Sequence, residues 1–401
     1  KVHNIYPNSI YEKDKSILFI TKHKGSKFLI ILGKSQLLNE FKGRSFPSGQ
    51  GKICDLTYDN SQILGKYFPF ILPKSHKGYD TSIGLGDRLG LASIGHLKLI
   101  KDYKAFPVLA QQSIRELNLT DRTYKDVLAS ASWAVFQEGY TSGFGADGDH
   151  LKTAEEVAMA LDLGFTMITL DCSDHIDNSI KDLGKDMVEA EYSKIDKKKR
   201  ENLEDKYLNK SFSLTDDIEI SFDESNFKRI ILIYLKTIEF TEKIYRTLIK
   251  PLSRKVDFEL SIDETSFTTS TEAHFLIGAE LRDRKVEIAS MAPRFPGEFQ
   301  KGIDYIGDTE KFSRDFQLHH LIAEHFGYKI SVHSGSDKFT VFPIIGEVTK
   351  GHYHLKTAGT NWLEALRVIA LKDANLFRHI FQFALDNLEK ARAYYHISGD
   401  P

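Results

Sequence analysis

Two histidine-containing segments near the end of the chain carry the residues best suited to chemistry. His333 ends the run Ile-Ser-Val-His and is followed by the loop Ser-Gly-Ser-Asp-Lys, and His354 lies in the run His-Tyr-His-Leu-Lys. Each run is short and β-rich, and each precedes a stretch with helical character. Histidines at the ends of successive parallel strands of a barrel converge on one point, and convergent imidazoles suit a divalent metal.

The alternation within both segments predicts which side chains face inward. On the first, Ser331 and His333 share one face, and on the second His354 and Lys356 alternate with aliphatic or aromatic neighbours. We therefore expect His333 and His354 to point inward at the same height on adjacent strands. Two buried, hydrogen-bonded histidines are the alternative, but the pairing of the two favours metal ligation.

Two imidazoles need at least one anionic partner to hold Zn²⁺, Ni²⁺, Mn²⁺ or Co²⁺ firmly. The best candidate is Glu264, which closes the predicted fifth strand before a Thr/Ser loop. Its neighbour Asp263 could replace it, and Asp171, at the end of the fourth strand, is another possibility. A helix cap or a loop salt bridge is the alternative role for each carboxylate.

The third predicted strand ends in a glycine-rich, charged cluster. His150 and Lys152 follow Gly-Ala-Asp-Gly-Asp, and glycines allow a backbone to approach a ligand closely. His150 could be a further ligand or an acid–base group, and Lys152 could hold a substrate carboxylate or stabilise an enediolate. A purely structural role for the cluster is the alternative.

Small-residue loops and arginines near the strand ends predict anion binding. Ser334, Gly335 and Ser336 follow the seventh strand, where barrels often bind phosphate, and residues 357–360 form a second such loop. Arg88, Arg115 and Arg294 are candidate carboxylate clamps, although each alone is more often a structural ion pair.

Eight strand–helix units are predicted between about residues 80 and 395, with the sixth strand over 286–289 and a last helix from 362 to about 395, which indicates an α/β fold of the (β/α)₈ TIM-barrel type. We expect a β-rich segment over 1–78 packed on the barrel, a catalytic barrel over 79–401, and a charged helical insertion at about 176–250. With only six or seven real units, an open doubly wound sheet would form instead.

Composition excludes several function classes. The 401 residues carry a net charge of −2, and no basic block is interleaved with aromatics, so we expect no nucleic-acid partner. Apolar runs are too short for a membrane span, and the first residues lack a signal region. Two cysteines cannot form a disulfide framework, which favours the cytoplasm. The glycines near residue 84 do not match a dinucleotide fingerprint, so we expect no nucleotide cofactor.

Several strings resemble the tagaturonate/fructuronate epimerase family. They include Gly-Asp-Arg-Leu-Gly from 86, Ala-Gln-Gln-Ser-Ile-Arg-Glu-Leu from 110, Gly-Asp-His-Leu-Lys-Thr from 148, and His-Ser-Gly-Ser-Asp-Lys from 333. The string from 148 is also similar to the Z-type subunit of tagatose-bisphosphate aldolase. The resemblance adds Gln112, Ser113 and Lys356 to the predicted substrate-binding residues.

The resemblance implies a metal-dependent isomerase of hexuronate breakdown that interconverts D-tagaturonate and D-fructuronate, and it allows assembly as a homo-oligomer. It also implies related 4-epimerisation of fructose and tagatose. On this basis Glu264, His333 and His354 are the predicted ligands, and Asp171, His150 and Lys152 the predicted catalytic residues. A class II metal-dependent aldolase and a non-catalytic barrel subunit are the alternatives.

Overall fold

The computed structural model describes residues 4–358 and 362–398. Strands and helices alternate through most of this chain after a β-rich beginning. The strands are β1 (Tyr11–Lys13), β2 (Ser16–His23), β3 (Ser26–Gly33), β4 (Arg44–Ser45), β5 (Gly51–Asp55), β6 (Thr81–Leu85), β7 (Phe106–Ser113), β8 (Gly145–Leu151), β9 (Met167–Asp171), β10 (Ser211–Thr215), β11 (Ile218–Ser221), β12 (Asp257–Ile262), β13 (Ser290–Pro293), β14 (Lys329–Val332) and β15 (Tyr353–Thr357). The helices are α1 (Leu37–Glu40), α2 (Tyr58–Tyr67), α3 (Ser93–Ile100), α4 (Ile114–Thr120), α5 (Tyr124–Glu138), α6 (Ala154–Leu163), α7 (Lys185–Ser193), α8 (Lys197–Tyr207), α9 (Glu224–Ile244), α10 (Thr271–Asp283), α11 (Thr309–Phe326), α12 (Phe342–Thr349), α13 (Trp362–Lys372), α14 (Ala374–Asp386) and α15 (Leu388–Arg392).

Eight of the strands close into a barrel in the order β12-β13-β14-β15-β6-β7-β8-β9. The pairs β6–β7, β7–β8, β12–β13, β13–β14 and β14–β15 are parallel. The predicted (β/α)₈ barrel is therefore confirmed, and the open doubly wound sheet is wrong. In the sequence, short apolar runs alternate with segments of helical periodicity. This pattern predicts the barrel, because each strand needs a covering helix to bury its outer face.

The chain forms two compact units, of which the first comprises Lys1–Leu151, Glu155–Ile168 and Arg254–Asp257. It contains an antiparallel sheet in the order β1-β2-β3-β5-β4, which agrees with the predicted β-rich beginning. Leu18, Ile20, Leu29 and Ile31 of this sheet are fully buried. The expected domain boundary near residue 78 stays a prediction.

Sequence signals at both ends define helix α5 of the first unit. Helix α5 starts at a capping box, in which the Thr123 side chain accepts from the Asp126 N–H and the Asp126 carboxylate accepts from the Thr123 N–H. It ends at Gly139, whose φ of 64° is left-handed and suits glycine. Val135 and Phe136 on its apolar face are fully buried.

The second unit comprises Lys152–Ala154, Thr169–Ser253 and Phe258–Pro401. Its strands β12 to β15 carry the predicted site, and their register sets the height of each side chain. Ser331 pairs with His354, so the next inward positions on the two strands are His333 and Lys356. His354 therefore lies one inward-facing layer below His333, which differs from the equal height expected from the sequence.

The expected helical insertion contains a hairpin as well as helices. Between α8 and α9, strands β10 and β11 pair antiparallel from Ser211↔Ser221 to Thr215↔Ile218. Helix α9 then packs an apolar stripe that includes Phe227, Ile231 and Ile238, all of them fully buried. The hairpin was not predicted, because the alternation in Ser-Phe-Ser-Leu-Thr is short and lies within a strongly polar stretch.

Two further expectations need correction. The sixth barrel strand is Ser290–Pro293, four residues later than the predicted start at 286. The long predicted terminal helix from 362 to about 395 is three helices, because Asp373 caps α14 by accepting from the Leu376 N–H and Asn387 precedes α15. In the described part of the chain, no helix has the length and apolar character that crossing a bilayer requires.

Candidate active site

His333, which directly follows β14, lies between two carboxylates: Glu259 on β12 and Asp263, which follows β12. Its Nε2 is 2.8 Å from Glu259 Oε1, and its Nδ1 is 3.2 Å from Asp263 Oδ1. Burial lowers the pKa of the imidazole, but Asp263 and Glu259 raise it by more, to about 10. With nothing else bound, His333 is therefore a cation at neutral pH.

Glu259 is the fully buried centre of this arrangement. Its Oε1 also accepts from Thr169 Oγ1 at 3.2 Å and lies 3.3 Å from Lys356 Nζ, while its Oε2 accepts from Ser290 Oγ. Burial raises the pKa of Glu259, yet the Lys356 and His333 cations lower it well below its usual range. The carboxylate stays ionised because it has two cationic neighbours.

A second cluster surrounds Asp171 at the end of β9. Lys152 Nζ is 3.8 Å from Asp171 Oδ2 and donates to Ser173 Oγ at 2.7 Å and to Asp174 Oδ1 at 3.2 Å. Burial lowers the pKa of Lys152, but Asp171 and Asp174 raise it by more. Lys152 is thus a fixed cation beside a buried carboxylate.

Carboxylate and imidazole groups at this density can transfer protons and bind cations. A carboxylate oxygen of Asp171 lies within 4.8 Å of one of Glu264, and a carboxylate oxygen of Asp263 lies within 4.8 Å of a ring nitrogen of His333. In barrels of this type, reactive groups gather where the strands end, so the second unit contains the expected active-site mouth.

Comparison with known proteins gives the family. The model of UxaE, tagaturonate epimerase, matches residues 6–401. The chain belongs to this family. The tagaturonate/fructuronate epimerase of Thermotoga maritima is 42% identical over 401 residues, which cover 99% of this chain and 82% of that protein.

Solved structures agree with the tagaturonate epimerase assignment. The native crystal structure of fructuronate-tagaturonate epimerase UxaE from Cohnella laeviribosi is 47% identical, with a TM-score of 0.95 over 100% of this chain and 81% of that one. A structure of the same enzyme complexed with one glycerol gives a TM-score of 0.95 over 99% and 80%. The predicted family resemblance is confirmed, and with it membership of an epimerase family.

The predicted ligand set is only partly brought together. Among the described residues, Glu264, His333 and His354 do not have three ligand atoms within 4.8 Å of one another. Glu264 is exposed and lies near Asp171, whereas Asp263, the alternative carboxylate, faces His333. A fully buried His354 lies one layer deeper. The ligand roles remain predictions.

The residues present suit a divalent transition metal of the kind the family resemblance implies. An imidazole nitrogen and a carboxylate oxygen face each other at 3.2 Å, and these are the donor types that zinc, nickel, manganese and cobalt accept. Ser261 Oγ donates to the same Asp263 oxygen at 2.5 Å, which orients the carboxylate. The second ring nitrogen of His333 has an acidic partner, as metal-ligating histidines usually do.

The predicted substrate-binding residues of the first unit have structural partners. Arg88 forms an ion pair with Glu116. The Gln112 amide donates to Thr120 Oγ1 at 3.0 Å, and Ser113 caps α4 by accepting from the Glu116 N–H. His150, one of the predicted catalytic residues, lies in β8 with a left-handed φ of 52°, and its Nε2 is 3.9 Å from Asp149.

The loop after β14 approaches β15 closely. The Gly335 N–H donates to the Lys356 carbonyl at 2.8 Å, so it is already used within the protein. A Cβ at Gly335 would lie 2.4 Å from the Leu355 side chain, which explains the glycine. Ser334 has a left-handed φ of 50°, and Ser336 Oγ accepts from the Ala358 N–H at 2.8 Å. Residues 359 and 360 of the second predicted loop lie outside the described residues.

Arg294 joins the ends of two strands. Its Nη1 is 3.5 Å from the Asp263 carbonyl, and its backbone exchanges hydrogen bonds with Thr269. Arg294 is thus beside Asp263, and its role as a carboxylate clamp stays a prediction.

Sequence reasoning missed Glu259, Thr169 and Ser290. Glu259 lies on β12, four residues before Asp263, which directly follows that strand, so period-2 alternation predicts both on the inward face. A charged residue at an inward barrel position, where branched aliphatics are usual, was the available signal.

Proposed function

We propose that this protein is a metal-dependent epimerase that interconverts D-tagaturonate and D-fructuronate. The observation that carries the proposal is His333 set between Glu259 and Asp263, with Lys356 beside them, in a chain of the tagaturonate epimerase family. Relatives from two organisms are named for this reaction.

The chemistry of the substrate restricts the mechanism. The inverted carbon is β to the ketone, so its C–H bond is not appreciably acidified and simple enolisation cannot epimerise it. We infer retro-aldol cleavage instead. A base removes the proton from the hydroxyl on the inverting carbon, that oxygen becomes an aldehyde, and the C–C bond electrons pass to an enediolate. The aldehyde then turns, the bond reforms on its other face, and the alkoxide recovers a proton.

The second cluster supplies groups for these proton transfers. Asp171 is buried to 1% exposure, and it can accept the hydroxyl proton because its neighbour Lys152 stabilises the carboxylate form. His150 is the predicted partner that returns the proton, and the roles of Asp171, His150 and Lys152 can be permuted. Lys356 and Arg294 are cations suited to the sugar carboxylate.

His333 and Asp263 would hold the divalent metal, with His354 and Glu264 as further predicted ligands. When bound, the metal supplies Lewis-acid stabilisation of the negative charge that develops on the ketone side. The loop of Ser334, Gly335 and Ser336 after β14 would position the substrate beside it.

The test is incubation of the purified protein with D-fructuronate after reconstitution with Zn²⁺, Ni²⁺, Mn²⁺ or Co²⁺ in turn. We expect D-tagaturonate with at least one metal, and no solvent deuterium at the inverted carbon when the reaction runs in D₂O. Deuterium at that carbon would refute the retro-aldol mechanism. Net release of tartronate semialdehyde and dihydroxyacetone in place of epimer would indicate an aldolase.

We also propose weaker 4-epimerisation of fructose and tagatose. A neutral ketose lacks the carboxylate that Lys356 and Arg294 would bind, so kcat/KM should be lower than for the uronate. Equal kcat/KM values for D-fructose and D-fructuronate would contradict the assignment of these cations to the carboxylate.

A further inference from the structure

Glu259 has no part in the reaction steps proposed above, although it is a buried acid with several side-chain partners. It is fully buried on β12, one inward-facing layer beneath the strand end. Side chains from three other strands donate to it or pair with it: Thr169 on β9, Ser290 on β13 and Lys356 on β15. Because these partners are fixed by the barrel, the carboxylate is fixed as well.

The contact between Glu259 and His333 determines which ring nitrogen keeps its hydrogen when the imidazole is neutral, as it must be to bind a metal. An ionised carboxylate can only accept, so the 2.8 Å contact requires a hydrogen on His333 Nε2. The lone pair that a neutral imidazole offers is then on Nδ1. This nitrogen faces Asp263 Oδ1 at 3.2 Å, at the level of the strand ends.

Glu259 also holds Lys356. The ammonium is 3.3 Å from Glu259 Oε1 and donates to the Thr169 hydroxyl, which in turn donates to the same carboxylate oxygen. One carboxylate oxygen therefore sets the direction of two inward side chains, an imidazole and an ammonium, from adjacent strands.

We propose that Glu259 is a positioning residue for a metal centre, which holds His333 with Nε2–H inward so that Nδ1 is the ligand atom beside Asp263. This inference rests on the metal dependence in the proposed function. An acidic partner on the outer nitrogen of a ligating histidine fixes the ring and increases its basicity, and loss of such a partner typically weakens metal binding about 10- to 100-fold. Glu259 itself binds neither metal nor substrate.

The test compares Glu259→Gln with a matched change, Glu280→Gln. Glu280 is a carboxylate on α10 with 2% exposure, and it is paired with Arg284 at 3.0 Å. Both variants thus lose one buried, paired charge. Zn²⁺ affinity is measured by competition with a chromophoric chelator, so no turnover is needed. We expect about 10- to 100-fold weaker binding for Glu259→Gln and wild-type affinity for Glu280→Gln.

A second readout reports on the imidazole without metal. In protein labelled with ¹⁵N-histidine, the ring N–H protons of His333 are identified by their loss in His333→Asn, and couplings of each ring nitrogen to the carbon-bound ring protons distinguish Nε2–H from Nδ1–H. We expect the Nε2–H proton far downfield in the wild type, since its acceptor is charged, and shifted upfield in Glu259→Gln. If Glu259 only balanced the Lys356 charge, the chemical shift of this proton would not need to change in Glu259→Gln.

Ser290→Ala is the variant to use if Glu259→Gln does not fold. It removes the hydroxyl on Oε2 but keeps the charge, and it should weaken Zn²⁺ binding in the same direction by a smaller factor. Unchanged Zn²⁺ affinity and an unchanged Nε2–H signal in both variants would overturn the inference. A wild type that binds none of the four metals would refute the metal dependence itself, and the proton signal would still decide the orientation of His333.

Discussion

Replacement of the buried Lys338 by methionine should loosen the loop that follows β14. Lys338 has 1% exposure, and its Nζ donates to three carbonyls, those of Gln300 and Ile303 at 2.7 Å and Ser336 at 2.9 Å. The ammonium therefore ties the segment after β13 to the loop of Ser334, Gly335 and Ser336. Methionine fills similar space but donates nothing.

Two opposing terms decide the magnitude. Burial lowers the pKa of Lys338 to about 8, so keeping it charged at pH 7 costs about 3 kcal/mol relative to an exposed lysine. Without the ammonium, three buried carbonyls lose their donor at about 1–3 kcal/mol each, and together this exceeds the roughly 3 kcal/mol recovered by removing the buried charge. We therefore expect Lys338→Met to lower the free energy of unfolding by about 2–4 kcal/mol, since the carbonyls lose their donor.

Urea unfolding and steady-state kinetics measure the two consequences. The urea midpoint should fall, and KM for D-fructuronate should rise more than kcat falls, because the loop positions substrate and supplies no reacting group. In the wild type, KM should also rise above about pH 8, since a neutral amine has too few hydrogens for three carbonyls. This rise should be absent in Lys338→Met.

Lys301→Met is the control, because Lys301 is an exposed lysine of the segment that Lys338 ties down. It should leave the urea midpoint and KM at wild-type values. If Lys338→Met also keeps both values, then the three carbonyls are satisfied in some other way and the reasoning fails.

Three further predictions concern metal, acid and substrate. His333→Ala should retain less Zn²⁺ by elemental analysis and lose turnover, and an active metal-free variant would contradict its ligand role. Burial lowers the pKa of His319 to about 4, so the unfolded state binds more protons below about pH 6.5. In an Asp315→Asn background, which removes the neighbouring carboxyl of opposite effect, the free energy of unfolding should fall by at least about 3 kcal/mol from pH 6.5 to 4, because burial also lowers the pKa of the adjacent His274. A flat urea midpoint would contradict this. Arg88→Met should lower the thermal midpoint by leaving buried Glu116 unpaired, and Glu116→Gln in the same chain should restore it. If Arg88→Met also raises KM for D-fructuronate, and KM stays raised in the double variant, then Arg88 binds the substrate as well.

The barrel and the region of the site were predictable from the sequence, because period-2 strands and capped helices are local signals. The segments that carry His333, Lys356 and Asp171 were found for the same reason. Height along the barrel was not predictable, since the pairing of Ser331 with His354 depends on the register between two strands. The sequence places both histidines at strand ends but cannot fix their relative level.

Partners from distant parts of the chain were also beyond sequence reasoning. Glu259 is separated from His333 by 74 residues, and only the closed barrel brings them to 2.8 Å. The same holds for Arg88, since the sequence could not show whether its guanidinium pairs with Glu116 or is available to bind the substrate carboxylate. Residue type predicts which chemistry is possible, whereas packing decides which groups are already used within the protein.

The polar interior of the second unit is best explained by a role in orienting side chains at the strand ends. Barrel interiors are usually filled with branched aliphatics, which pack without a desolvation penalty. Here a fully buried carboxylate, a lysine and two histidines take such positions. Buried ion pairs contribute little to stability compared with apolar residues of similar size. Stability alone would therefore not favour this layer, and its benefit lies in the fixed orientation that Glu259 gives to the His333 ring and the Lys356 ammonium at the mouth above it.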